Sequence, residues 1–436
     1  MRRRELLIGG LAAGIAAPAF AAEASPLRIA AREAFVYAMP LTEAANVRAR
    51  AFGRGLPPGR LFPQQALATP DLRIITTPNN DTVYSVAFLD LSHGPATLRM
   101  PALGGRYASV ALMDMFTDNF AVLGTRTTGQ EAQTIVVAGP DAAASPGAIR
   151  SPTPWVWVMV RVLVDGPSDL PAALTLLKGF SLTPSPGKSV WAAGADRNGP
   201  WADWFRAANA LMLENPPAPT DAAILHRMAP LGLGSPGFDP ARFTAAEGAE
   251  IAAGVADALK GLHAAGFGGK VAGGWVMPAT DNGAFFQDYS TRARIAIGGI
   301  AALPCAEAMY LAAVSPNGTP LFNTDDLMRL RFAPAELPPV NAFWSLTMYE
   351  GAPQGGFFLT RNPINRYSIG DRTPGLTRGA DGSLEIWIAR TDPGGGRSIN
   401  WLPAPAAGPF IMILRAYLPK PELISQSYTP PAIEKA

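Results

Sequence analysis

Tyr107-Ala108-Ser109-Val110-Ala111-Leu112-Met113 decides how this chain is read. Successive side chains of an extended chain point to opposite faces, so Val110 and Leu112 share one face and Tyr107, Ser109, Ala111 and Met113 the other. Residues 72–76, 82–91, 96–100, 106–114, 134–137 and 155–164 are runs of this β-rich kind. Residues 327–332, 342–348, 356–360, 384–390 and 409–418 repeat the pattern near the end of the chain. Pro, Gly, Asn and Asp punctuate both groups, as turns require. The 44 Gly and 43 Pro are therefore read as turn residues between short strands, not as disorder.

The residues between the two groups have helical spacing, with helices expected at 168–178, 201–213, 244–265 and 289–302. Thr244 and Glu247 form a capping box. Ile251, Val255, Leu259 and Leu262 mark a buried stripe, and Gly266 is placed to stop the helix. A further helix is expected over 26–50, where Ile29, Phe35, Val36 and Met39 fall near one face and Pro40 is placed to kink or end it. The fold class expected is mainly β with α: two β-sandwich or jelly-roll-like units with an intervening helical section. The boundaries read as a leader at 1–21, a helical segment at 22–60, a first β unit at 61–185, helices at 186–310, a second β unit at 311–425 and a tail at 426–436.

Arg2-Arg3-Arg4-Glu5-Leu6-Leu7, an apolar run from Ile8 to Ala17, and Pro18-Ala19-Phe20-Ala21 read as a secretory signal cleaved near Ala21. The arginine pair followed by two leucines favours the twin-arginine route and a periplasmic protein that meets the membrane only during export. Removing residues 1–21 takes three Arg and one Glu from 36 basic and 34 acidic residues, leaving 33 of each. That neutrality, with no basic run, argues against nucleic acid as a partner. Cys305, the only cysteine, sits among Ala, Leu and Pro and reads as a buried structural thiol.

Short polar-aromatic strings stand out against this background. Thr77-Pro78-Asn79-Asn80-Asp81-Thr82-Val83-Tyr84, Leu89-Asp90-Leu91-Ser92, Gly105-Arg106-Tyr107 and Leu112-Met113-Asp114 lie in the first half. Phe343-Trp344-Ser345-Leu346-Thr347-Met348-Tyr349, Asn362-Pro363-Ile364-Asn365-Arg366-Tyr367, Asn400-Trp401-Leu402-Pro403 and Leu414-Arg415-Ala416-Tyr417 lie in the second. On these strings the chain resembles a two-part bacterial family whose halves are the domains of unknown function 1254 and 1214. The resemblance implies a β-rich architecture of two parts plus helices and carries no activity with it. One departure is Ser315, where an acidic residue is expected before the Asn317-Gly318 turn.

The three histidines, His93, His226 and His263, are not in ligand spacing, so no metal is expected. Phosphate-cradling glycine loops and the Gly-x-Ser-x-Gly elbow are absent from the sequence, and no cofactor is expected. The strings leave two candidate constellations. Asn79, Asn80, Tyr84 and Arg106 in the first half, with Trp344, Tyr349, Asn362, Arg366, Asn400, Trp401 and Arg415 in the second, are candidate contacts for a small-molecule or glycan-like ligand. Aromatic faces stack on flat rings, Asn and Asp give directional hydrogen bonds, and Arg pairs with a carboxylate. Asp81 and Asp114 are candidates for general acid and base at a glycosidic bond, and Tyr367 is the candidate base of a lyase. The structural reading of the same residues, as turn formers and corner locks, stays open beside a metal-independent hydrolase or lyase and a non-catalytic binding protein.

Overall fold

The strand Trp155–Leu163, WVWVMVRVL, shows how the first half is built. Val156, Val158, Val160 and Val162 face a core shared with the strands Ala96–Met100 and Gln133–Ala138 and the helix Leu170–Gly179. Trp155, Trp157, Met159 and Leu163 face the opposite way, into a second core built largely of helices. A computed structural model of the protein describes residues 24–73, 76–143, 145–264, 269–352 and 356–436. The leader at 1–21, the helix stop at Gly266 and part of the strand expected at 72–76 lie outside the described residues.

Trp155–Leu163 is the middle strand of a five-stranded sheet, flanked by Thr82–Asp90 on one side and Ala108–Asp114 on the other, all antiparallel. This register sets Tyr84 and Ser109 on either side of Arg161. The second half is organised around Phe410–Pro419, which pairs with Ala308–Ala313 and with Val340–Gly351 in a seven-stranded sheet. Met412, Leu414 and Ala416 face a core shared with Met328–Phe332 and Leu384–Ala389. Ile411, Ile413, Arg415 and Tyr417 look the other way. Tyr310 and Ser345 flank Arg415 across the ladder.

The described residues thus form a mixed α/β fold with twenty strands in four sheets. An opening helix is followed by two strand-rich regions with helices between them. The helix Pro26–Gly53 continues through Pro40, which neither ends nor divides it. A proline removes one backbone hydrogen bond, and here the fully buried Phe35, Tyr37, Met39 and Leu41 hold the helix together around that loss. Within the tail at 426–436, Glu434–Lys435 pairs with Met328–Phe332.

Thr244 and Glu247 close the expected capping box, with each residue's side chain accepting from the other's backbone N–H at 2.8 and 3.3 Å. The helix they open, Ala245–Ala264, crosses Pro26–Gly53 at Gly254. A methyl group placed there would sit 2.3 Å from the Arg28 carbonyl oxygen and 2.9 Å from the Ala31 side chain. Gly254→Ala is therefore expected to destabilise the protein by about 1–3 kcal/mol, against the usual gain of Ala in a helix. Urea denaturation measures the difference, and an unchanged or raised midpoint contradicts the close crossing.

Candidate functional site

A cavity of about 400 Å³ lies where the two large sheets approach each other. The first half contributes Tyr84, Val86, Trp157, Met159 and Arg161. The second contributes Tyr310, Ala312, Ile413 and Arg415. The end of the helix Tyr289–Gly298 and the turn that follows it close one side, and residues 76–79 lie along another. Its walls are mainly apolar, and the two arginines are each about 4 % exposed.

Arg415 is anchored by both halves. One guanidinium nitrogen donates to the Thr77 carbonyl at 2.9 Å and another to the Thr347 hydroxyl at 3.0 Å. The group also stands 5.6 Å from the Tyr349 ring centre, and the Tyr349 hydroxyl donates to the Pro78 carbonyl at 2.9 Å. Asn79 makes an Asx turn: its side-chain oxygen accepts from the N–H groups of Asp81 and Thr82, while its amide nitrogen donates to the Tyr417 hydroxyl. Asn80 donates to the Ala68 carbonyl at 2.6 Å. The Asp81 carboxylate accepts from the Ser345 hydroxyl at 2.6 Å and from the Ser368 hydroxyl at 3.4 Å. Burial raises its affinity for a proton, and Arg415 and the two serines offset this only in part. Thr77, Pro78, Asn79 and Asp81 of the string that opens the first half's strand are therefore bound to the second half, while Asn80 turns back to its own half.

Arg161 is held less completely. Its Nη2 donates to the Ala301 carbonyl at 2.8 Å, and the guanidinium lies 5.4 Å from the Tyr84 ring centre. Its buried Nη1 has no hydrogen-bond partner among the described residues. The two carbonyls that grip the arginines belong to Thr77 and Ala301, non-glycine residues with φ of 48° and 65°. Such backbone costs about 1–3 kcal/mol per residue and persists where surrounding structure imposes it.

Of the candidate residues, Asn79, Tyr84 and Arg415 line the cavity, and Asn80, Asp81 and Tyr349 stand directly behind that wall. The others lie elsewhere. Asp114 accepts from the Asp118 N–H at 3.0 Å, in a separate cluster where Arg292 pairs with Asp118 beneath the rings of Tyr37, Phe116 and Tyr289. Arg106 forms a two-pronged pair with Asp169 and also donates to the Leu163 carbonyl. Trp344 is packed in the second half's core, 5.3 Å from Phe332. Asn362 ties its own loop to the backbone of Thr360 and Arg366. Arg366 donates to the Ile399 and Trp401 carbonyls, Asn400 to those of Thr377 and Glu385, and Trp401 to that of Ala389. The Tyr367 hydroxyl is 3.2 Å from the Asn365 side chain.

Arg161 and Tyr310 were not among the candidates. The signal for Arg161 was present, as a lone arginine on the Trp and Met side of an otherwise apolar strand. Among the described residues, no group of three His, Cys, Asp or Glu side chains is gathered as a metal site, and no helix is long and apolar enough to cross a membrane. Cys305 is buried, and burial pushes its thiol up to about 11.

Comparison with known proteins agrees with this two-part construction. Residues 58–184 match the family described as protein of unknown function (DUF1254), and residues 307–421 match protein of unknown function (DUF1214). No curated protein matches the chain. The crystal structure of the VPA0106 protein from Vibrio parahaemolyticus is similar to it, with 22 % identity and a TM-score of 0.71 over 94 % of this chain and all of that one. An uncharacterised protein from Burkholderia cenocepacia has 11 % identity and a TM-score of 0.45, with 94 % of each chain covered. The first of these shares the fold. With one family region on each side of the cavity, in the order the strings imply, the chain belongs to the two-part family in which a DUF1254 region precedes a DUF1214 region, both of unknown function.

Proposed function

We propose that this protein binds a small organic ligand in the cavity between its two halves. The observation that carries the reading is convergence: Asn79 and Tyr84 from a string of the first half and Arg415 from a string of the second meet at one apolar-walled cavity. Its volume falls within the range of about 300–1,000 Å³ common for small-molecule sites. Tyr84, Tyr310 and Trp157 offer ring faces, and Asn79 and Arg415 offer fixed polar contacts. The charged and apolar string at residues 1–21 supports a periplasmic setting for this binding, after twin-arginine export. Each half is taken as a sandwich-like unit, because one core is shared by two sheets in each.

A second reading makes the protein a metal-independent lyase or hydrolase on a carbohydrate-like or other small organic substrate. Two phenols, Tyr84 and Tyr310, beside two guanidinium groups favour the lyase form. The hydrolase form needs two carboxyl groups about 5–10 Å apart across a bond, and Asp81 and Asp114 have separate hydrogen-bond partners. Tyr367 would act only from outside the cavity wall.

Filling the cavity tests the site. Ala312→Phe and Ala302→Phe each place a ring inside it, one from a strand and one from a turn. Calorimetric titration with oligosaccharides and small aromatic compounds is expected to show binding to the native chain and at least a tenfold loss in both variants. Binding unchanged in both, with folding intact by circular dichroism, overturns the cavity as the site.

A further inference from the structure

We infer that the ligand is an organic anion, a carboxylate on an apolar or aromatic body, and that Arg161 is its seat. This rests on the cavity reading above and adds the ligand's charge. Arginine stays protonated inside proteins, so Arg161 brings a permanent positive charge into an apolar site. A buried charge of that kind is costly unless it is paired and hydrogen-bonded. Arg161 is about 4 % exposed, makes no ion pair among the described residues and leaves Nη1 without a partner. The Ala301 carbonyl and the Tyr84 ring supply only part of the compensation.

The rest of the wall fits the same ligand. Arg415 adds a second buried guanidinium, and against the two stands one carboxylate of the cluster, Asp81, hydrogen-bonded to the uncharged Ser345 and Ser368. The cluster therefore keeps an excess of positive charge at one end of the cavity. Ile295, Ile300, Ile413 and Val86 line the remainder and suit a hydrocarbon or ring body. A carboxylate meeting the Arg161 guanidinium from the cavity would make a charge-assisted hydrogen bond in a water-poor setting, where such bonds are strongest.

Calorimetric titration with 3-phenylpropionate and its uncharged amide separates charge from shape. The native protein is expected to bind the acid about ten- to a hundredfold more tightly than the amide. Arg161→Met removes the charge at similar length and is expected to erase that preference while leaving amide binding within a few-fold. Arg161→Lys keeps the charge and is expected to restore part of the preference, which a merely structural role would not do. Equal affinity for acid and amide in the native protein, or an unchanged preference in Arg161→Met, overturns the anion inference. If both probes then bind equally and Ala312→Phe removes both, the cavity reading stands alone. No binding of either probe at millimolar concentration overturns both readings.

Discussion

Arg415→Ala is expected to destabilise the protein by about 3–5 kcal/mol, the cost typical of removing one partner from a buried charged network. Three losses coincide. The Thr77 carbonyl and the Thr347 hydroxyl lose their donor, and the partly buried Asp81 carboxylate loses the positive charge that helps keep it ionised. Thr77 is also released from a left-handed conformation that Arg415 helps to hold. Because these partners come from both family regions, the damage falls on the junction between them. Adding Asp81→Asn to Arg415→Ala is expected to recover part of the loss, since the second change removes the carboxylate left uncompensated. Urea denaturation of the four proteins measures the coupling. Strict additivity of the two changes contradicts an electrostatic link between Asp81 and Arg415.

Asp114→Asn is expected to stabilise the protein at pH 8 by about 1–3 kcal/mol and to change little at pH 4. Burial and the adjacent Asp118 carboxylate push Asp114 up to about 7, against a pull downward from Arg292. An aspartate in an unfolded chain titrates near ~3.9. Between those two values the folded protein holds a proton that the unfolded chain has released. Its stability therefore falls as the pH rises through this window and levels off above about pH 7. Asparagine cannot ionise, yet its side-chain oxygen still accepts from the Asp118 N–H. Denaturation midpoints of native and variant proteins from pH 4 to pH 8 should converge at the acid end and separate toward the alkaline end. Parallel curves would show that Asp114 does not carry a raised affinity for protons. The same variant tests Asp114 as a catalytic group, since asparagine would abolish turnover while raising stability.

The strand pattern was legible because period-two alternation is local: Val110 and Leu112 face one core and Tyr107, Ala111 and Met113 another, as the sequence order alone requires. The capping box at Thr244 and Glu247 was equally local. Pro40 was harder to read, because the burial that carries a helix through a proline depends on partners far along the chain. The strings divided for a related reason. Asn79 and Arg415 meet at the cavity because two sheets from separate halves face each other there, which no single stretch encodes. Asn362, Arg366, Asn400 and Trp401 carry the same residue types and serve to tie loops to neighbouring backbone. Composition cannot separate those uses; only the identity of the partner can. Arg161 escaped notice because it stands alone in a valine-rich strand, outside any string.

The alternation of Trp155–Leu163 has a practical consequence for dissecting the molecule. Its Trp, Met and Arg side is covered by the helix Pro26–Gly53, whose Arg48 lies 4.5 Å from the Trp155 ring centre, by elements beyond residue 184 and by residues of the second family region, such as Phe343 and Tyr417. A recombinant fragment of residues 58–184 alone would carry that side bare to water, two indoles and an unpaired guanidinium included. Such a piece should aggregate, while co-expressing it with the remaining polypeptide should rescue its solubility.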